Sequence, residues 1–358
     1  MISIIYPYRN RNISRIKKSL DSLAEQSFKR FKVYLVDYGS AESYASKTKD
    51  LCKSYDFVTY DYCNTQYQPW NKSRALNSVI KNLTSDFCFV ADVDMIFHPD
   101  FIKNALKLQQ PETTVYFQVG FLSPDEVVEG KKYNEFTNYR KSTSGATGLS
   151  MFSVKVLQEL RGFDEFYHFW GAEDTDIHIR IKNAGYPVKF YDDNVLLLHQ
   201  WHPSFRSLET KKLTKELQLS GIVQLNHQHL RFAKKNSITR VNPIGWGDLP
   251  TVEEIRQFQD VPVNIKLLNE KRQVDDFLYG QLPNFRNQII KVSIEQDQFQ
   301  QSLKYKLKKI AKKKVPPYYS LKEVNDKVLL HLISYYRNHP YVFQVLSEPE
   351  RIEFSIQL

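Results

Sequence analysis

Two carboxylates one residue apart, Asp92 and Asp94, follow directly on the apolar run Phe87-Cys88-Phe89-Val90-Ala91. Such a run reads as a buried strand. At the carboxyl end of a parallel sheet, where open α/β folds bind ligands, the two acids would share one face, with Val93 turned to the other. Hard oxygen donors so placed can hold a divalent cation against a diphosphate, so the first chemistry suggested is a metal-assisted reaction on a nucleotide. The same triplet is also what a solvated loop or a helix N-cap looks like.

Other residues bear on that choice. After Leu196-Leu197-Leu198, His199 and His202 stand three residues apart and could complete a metal shell begun by Asp94, for manganese or another borderline cation. The segment FDEFYHFWGAEDTDIHIRI (163–181) sets Trp170 and Gly171 before a helix that begins near Glu173-Asp174. A carboxylate in a first helical turn is favoured by the dipole and stays ionised, which suits a general base. Trp170 offers a ring on which a sugar's apolar face can stack. The plainer alternative is that Glu173, Asp174 and Asp176 only cap and charge the turn. Near the start of the chain, Arg9 and Arg11 could pair with a diphosphate, although arginines in such loops are usually solvated. Asp37, before Gly39, would meet a base or ribose hydroxyl, or else be a plain turn acid.

These groups need a frame. The first 200 residues alternate short apolar runs with amphipathic stretches, the pattern of βα units around a mostly parallel sheet. Strands are expected at Ile2–Tyr6, Phe31–Val36, Phe57–Tyr60 and Phe87–Ala91. Ile13, Ile16, Leu20 and Leu23 repeat at helical spacing, and a second helix is expected from Lys72 to Leu83. After about Ser204 long charged segments take over, predicting a smaller, mainly helical part with linkers near Asn242–Pro250 and Pro316-Pro317.

The 358 residues suit one large or two ordinary domains, and 42% apolar with 25% charged residues indicates a globular chain. No run approaches the roughly 20 apolar residues needed to cross a bilayer, and the first residues look like a strand rather than a secretory signal. Cys52, Cys63 and Cys88 lack metal-ligand spacing, so reduced thiols in a cytoplasmic protein are expected. The net charge of +10 is uneven: seven lysines crowd Lys304–Lys314, a segment that could dock on an anionic membrane surface or be merely a solvated helix end.

Taken in order, PYRNR (7–11), WNKSRALN (70–77), DVD (92–94), GLSMFS (148–153), GFDEFYHFWGAEDTD (162–176) and HQWH (199–202) resemble the GT-A glycosyltransferases. The likeness is to family 2 enzymes and to the β-1,4-galactosyltransferase type with its bacterial chondroitin-polymerase-like relatives. An ordered set is far more specific than any one motif. The resemblance implies an α/β GT-A domain over 1–205, Rossmann-like with a mostly parallel central sheet flanked by helices. Its nucleotide-sugar half would occupy about 1–100 and its acceptor half about 101–205, with a mainly helical extension over 206–358. Pro7, Arg9 and Arg11 would frame UDP, Asp37 would meet uridine, and Trp70, Lys72 and Arg74 would lie near the base or diphosphate. Gly148 would line the donor sugar. Asp94 and His202 would be direct metal ligands, His199 a third, and Asp92 a contact to the ribose, the metal or its bound water. Asp174 matches the family's base, Glu173 its acceptor-hydroxyl ligand, and Trp170 with Gly171 shapes the sugar sites.

The resemblance further implies Mn2+ or Mg2+ as cofactor and inverting, in-line transfer of a hexose or N-acetylhexosamine from a UDP-sugar to a glycan or lipid-linked glycan hydroxyl. Small residues at Gly145-Ala146-Thr147 make UDP-GalNAc as reasonable a donor as UDP-Gal. The membrane anchor and secretory setting of the animal galactosyltransferases have no counterpart in this sequence. We therefore expect a bacterial-type cytoplasmic enzyme of surface-polysaccharide synthesis, peripheral at the inner face of the membrane if the lysines dock there. The family's acceptor-recognition residues find no match in Pro203-Ser204-Phe205-Arg206. A sugar nucleotidyltransferase would need a glycine-rich phosphate loop, which Tyr8-Arg9-Asn10-Arg11 is not. A nucleotide-sugar- or glycan-binding protein is the non-enzymatic alternative, and no nucleic acid is expected, because the lysines lie apart from the carboxylates.

Overall fold

The computed structural model describes residues 1–203, 212–348 and 350–358, arranged as two compact units. The first comprises residues 1–66, 70–207 and 222–249 as far as they are described. It opens with β1 (Ile2–Tyr8), α1 (Ile13–Ala24), β2 (Phe31–Asp37), α2 (Glu42–Cys52), β3 (Val58–Tyr62), α3 (Lys72–Ile80) and β4 (Phe87–Val90). It continues through β5 (Met95–Phe97), α4 (Phe101–Lys107), β6 (Thr114–Phe117), β7 (Val119–Leu122), β8 (Tyr139–Lys141) and β9 (Ser150–Ser153). Then come α5 (Val154–Glu159), α6 (Glu173–Asn183), β10 (Val188–Tyr191), β11 (Leu197–His199) and α7 (Ile222–Lys235).

Seven strands form the main sheet in the order β10-β6-β9-β4-β1-β2-β3, all parallel except β9, which runs against both neighbours. β1 is central and buried on both faces, so it reads as a continuous apolar run rather than an alternating one. Its pleat divides the core: Ile2, Ile4, Tyr6 and Tyr8 join α1's Ile16, Leu20 and Leu23 on one side. Ile5 faces Ala75 and Leu76 of α3 and Ile177 and Ile181 of α6 on the other. α1 begins where the Asn12 side chain accepts from Ser14 N, and α3 where Asn71 accepts from Arg74 N.

A second, four-stranded sheet, β5-β11-β7-β8, positions the chemistry. β11 lies antiparallel to β5 with His199 opposite Met95, and Gln200 N donates to Asp94 O at 3.2 Å. This register brings the chain after the acid triplet against the histidine segment.

The second unit comprises residues 67–69, 208–221 and 250–358 as far as they are described. It holds α8 (Val252–Arg256), β12 (Ile265–Leu268), α9 (Lys271–Asp276), β13 (Ile289–Glu295), α10 (Leu303–Ile310), α11 (Leu321–His331), β14 (Tyr341–Ser347) and β15 (Glu350–Gln357). Helices are plentiful here, but the core rests on a sheet ordered β12-β13-β15-β14, which the charged character of the segment conceals. Val292, Ile294, Ile352 and Phe354 pack with Val324, Val328 and Leu329 of α11. No helix among the described residues is long and apolar enough to cross a membrane.

The division of the chain differs from that expected. A boundary after residue 205 falls within 204–211, outside the described residues, as do Ser204, Phe205 and Arg206. Residues 222–249 belong to the first unit. The segment expected as a linker at 242–250 is packed there up to Leu249: Asn242 is buried and donates to the carbonyls of Arg161 and Phe163. Pro316-Pro317 is no linker either; Pro317 accepts from Lys271 N within the second unit.

Candidate active site

β4 ends at Val90, so Asp92 and Asp94 lie in a turn beyond the strand, and strand alternation does not put them on a common face. The two acids serve different clusters. Asp94 is buried, with His202 Nε2 3.1 Å from Oδ2 and His199 Nε2 3.6 Å from Oδ1. One ligand atom from each of Asp94, His199 and His202 lies within 4.8 Å of the others. Burial pushes the Asp94 carboxyl up, but the two imidazoles and the Arg11 guanidinium outweigh it and hold the group below its ordinary value. His202 is raised by its contact with Asp94, and its Nδ1 donates to the Pro203 carbonyl at 2.9 Å.

The residues fit a divalent cation on their own chemistry. Asp94 Oδ1 is buried without a hydrogen-bond partner among the described residues, an expense proteins rarely leave unanswered. With Nδ1 of His202 protonated toward Pro203, its Nε2 is left as the ring's lone-pair donor toward Asp94. One carboxylate and two imidazoles make a mixed oxygen and nitrogen donor set of the kind that suits a borderline divalent cation. Asp92 stands outside this set, and its nearest ion-pair partner is Lys72 at 3.6 Å.

Lys72, the first residue of α3, organises the second cluster. Its ammonium lies 3.0 Å from Asp174 Oδ2, 3.2 Å from Asp174 Oδ1 and 3.4 Å from Glu173. One cation thus faces three carboxylates. Burial pulls the Lys72 ammonium down, but the three acids win and it is held well above its ordinary value. Asp174 moves the other way from the expectation of a dipole-stabilised carboxylate. Burial pushes it up to about 7, opposed by Lys72 and reinforced by Glu173 and Asp92. Its side chain keeps 23% exposure, so a hydroxyl can reach it. Gly148 backs onto the same group: a Cβ there would sit 3.1 Å from Asp174 Oδ2.

Sharp backbone turns deliver Glu173 and Asp174. Phe169 (φ 62°), Gly171 (φ 99°) and Ala172 (φ 75°) all occupy the left-handed region. Two of them carry side chains, so the surroundings must hold the loop. Phe169 N donates to Trp70 O at 2.8 Å, and Asn71 Nδ2 donates to Glu165 O at 2.9 Å. From α7, Asn226 Nδ2 donates to the carbonyls of His168 (3.0 Å) and Trp170 (3.1 Å), and His229 Nε2 meets Asp164 at 2.8 Å. Trp170 itself stays 41% exposed, and Trp70 meets Tyr38 edge-on at 5.8 Å. No motif marks Asn226 or His229; the only trace in the sequence is a pair of polar residues within an amphipathic helix.

The remaining candidates divide. Arg11 is exposed and its charge is felt at Asp94 and His202. Arg9 donates to the Gln66 carbonyl at 2.6 Å, and Pro7 is buried in β1 opposite Val36. Asp37 is fully buried, accepting from Ser40 N and the Tyr60 hydroxyl, both at 2.7 Å, and so closes the turn that follows β2. Arg74 is buried, donates to Asp248 O at 2.6 Å and lies 3.9 Å from Glu165.

Two family models match the chain: Glycosyl transferase family 2 over residues 3–161 and N-terminal domain of galactosyltransferase over residues 131–200. Among curated proteins, beta-1,4-galactosyltransferase 5 of Danio rerio and of Homo sapiens are each 28% identical over 125 residues, or 34% of this chain. Those matches span 29% and 28% of the relatives' own length. Solved structures that align include the mannosyltransferase PcManGT from Pyrobaculum calidifontis in complex with GDP-Man and Mn2+ (TM-score 0.42, 18% identity, 66% of this chain and 71% of that one). Another is S. aureus TarS 1-349 (TM-score 0.47, 14% identity, 96% and 94%). The first unit is thus similar to family 2 glycosyltransferases over residues 3–161 and to the galactosyltransferase N-terminal domain over residues 131–200, and the chain matches less than a third of the length of these curated relatives.

Proposed function

We propose that this protein is a metal-dependent, inverting transferase that moves a hexose or N-acetylhexosamine, galactose or N-acetylgalactosamine foremost, from a UDP-sugar to a glycan hydroxyl. Its setting would be bacterial surface-polysaccharide synthesis in the cytoplasm, with the acceptor glycan lipid-linked. The observation that carries the reading is the pairing of two clusters on one acid triplet: Asp94 with His199 and His202, and Asp92 with Lys72, Glu173 and Asp174.

Asp94, His199 and His202 are the residues that would hold the cation. When bound, the ion supplies positive charge for a diphosphate leaving group. Arg11, exposed beside that set, adds a guanidinium for phosphate oxygens. Asp174 takes the proton of the acceptor hydroxyl, which attacks the anomeric carbon in line as the bond to UDP breaks. Lys72 keeps Asp174 oriented and tempers its rise in pKa, and Glu173 accepts from a neighbouring acceptor hydroxyl. Trp170 stacks on the acceptor ring, and the absent side chain at Gly148 leaves room for the donor sugar beside the base. Direct displacement inverts configuration, so an α-linked UDP-sugar should yield a β-linked product. Proton NMR of the product's anomeric coupling tests this, and an α-linked product would remove Asp174 from the role of base in a single displacement.

A further inference from the structure

In the second unit, α10 carries its apolar residues on the side away from the protein. Leu303, Leu307 and Ile310, spaced four and three apart, fall on one helical face. They are 77%, 65% and 80% exposed, among the most open large apolar side chains of the chain. Tyr305 occupies the opposite face and secures the helix, meeting the rings of Phe299 at 5.6 Å and Tyr318 at 5.8 Å edge-on. Ser302 caps the helix, accepting from Tyr305 N at 3.1 Å. The stripe is therefore held outward rather than left there by chance rotation. Lys304 and Lys306 flank it, Lys308 and Lys309 follow, and Lys312, Lys313 and Lys314 continue past the helix end, with no acidic residue between 303 and 317.

We infer that α10 is an in-plane membrane anchor: Leu303, Leu307 and Ile310 enter the headgroup–acyl boundary of an anionic leaflet while the lysines engage its phosphates. Charge alone would fit any polyanion. A nucleic acid or an acidic polysaccharide would leave three large apolar side chains in water, whereas an anionic bilayer satisfies both features at once, and stable peripheral binding needs two such signals. The inference deepens the proposed function, on which it rests for its purpose, the meeting of a lipid-linked acceptor. The binding itself stands apart from catalysis.

The test is co-sedimentation of the full chain with vesicles of phosphatidylcholine alone and of phosphatidylcholine mixed with phosphatidylserine. Wild type should bind the mixed vesicles and not the neutral ones, and added salt should weaken it. Leu303→Ser/Leu307→Ser/Ile310→Ser should bind about ten-fold more weakly, with unchanged melting temperature and unchanged UDP release onto a soluble acceptor. Leu307→Trp should add a fluorescence component that shifts to the blue when mixed vesicles are added. Absence of wild-type binding, equal binding by the triple serine variant, or emission from the Leu307→Trp variant unmoved by vesicles would each overturn the proposal. Loss of transferase activity with vesicle binding intact would count against the enzyme reading alone.

Discussion

Asp174, the base in the proposed function, must be desolvated enough to hold a proton and ionised enough to take one. Burial together with Glu173 and Asp92 pushes it up to about 7, and Lys72 opposes them. The sign of the pH dependence follows: below that value the group is protonated and idle, so kcat/KM should climb with pH and level off above about 7. Lys72→Met removes the opposing charge, so its acid limb should lie at higher pH; a limb that stays in place would show that another group sets it. Asp174→Asn should lower kcat by roughly 10² to 10⁴ with little change in donor KM. Much of this site is legible as residues in a line. Asp94, His199, His202, Glu173 and Asp174 are all recoverable from acid spacing, histidine spacing and the glycine before a helix. The division of labour between Asp92 and Asp94 is not, because it depends on a strand that stops two residues before the first acid. Nor do the hydrogen bonds that Asp37 and Arg74 make inside the fold show in residue type.

Elements set how firmly the base is held. The loop from Phe169 to Ala172 has two non-glycine residues in left-handed backbone, a strain of about 1–3 kcal/mol each. Asn226 on α7 ties it down through two carbonyls. Asn226→Ala should therefore cost about 1–3 kcal/mol, read as a lower melting temperature, and raise the acceptor KM more than the donor KM. Equal effects on both would assign α7 a purely structural role. Gly148→Ala tests the space beside the base. Its Cβ would press on Asp174 Oδ2, so kcat should fall about ten-fold while the melting temperature holds; full activity would show that the carboxylate yields freely. The βα units were readable because each buried strand is an apolar run and each helix repeats at its own period. The C-terminal strands hid their signal differently. In β13, Ile290, Val292 and Ile294 alternate with Lys291, Ser293 and Glu295, and β15 alternates likewise, so half-buried strands pass for charged coil unless period two is sought.

For the whole molecule, two units with separate cores are joined by a chain that returns to the first unit at Ile222, a route that composition alone does not reveal. Distant return segments leave no local trace, so α7 does not show in the sequence as part of the first unit while the strands do. Net charge of +10 gives the molecule an attraction for anionic surfaces, and the lysine-rich stretch around α10 concentrates it. In the proposed reaction both clusters act together, and one measurement reaches them at once: UDP release from a panel of UDP-sugars with glycan acceptors, with and without manganese, for wild type, Asp94→Ala and Asp174→Asn. Wild type should turn over UDP-galactose or UDP-N-acetylgalactosamine in a manganese-dependent way, and both variants should lose that turnover by roughly 100-fold or more. Turnover indifferent to manganese, or undiminished in either variant, would contradict the proposed reaction.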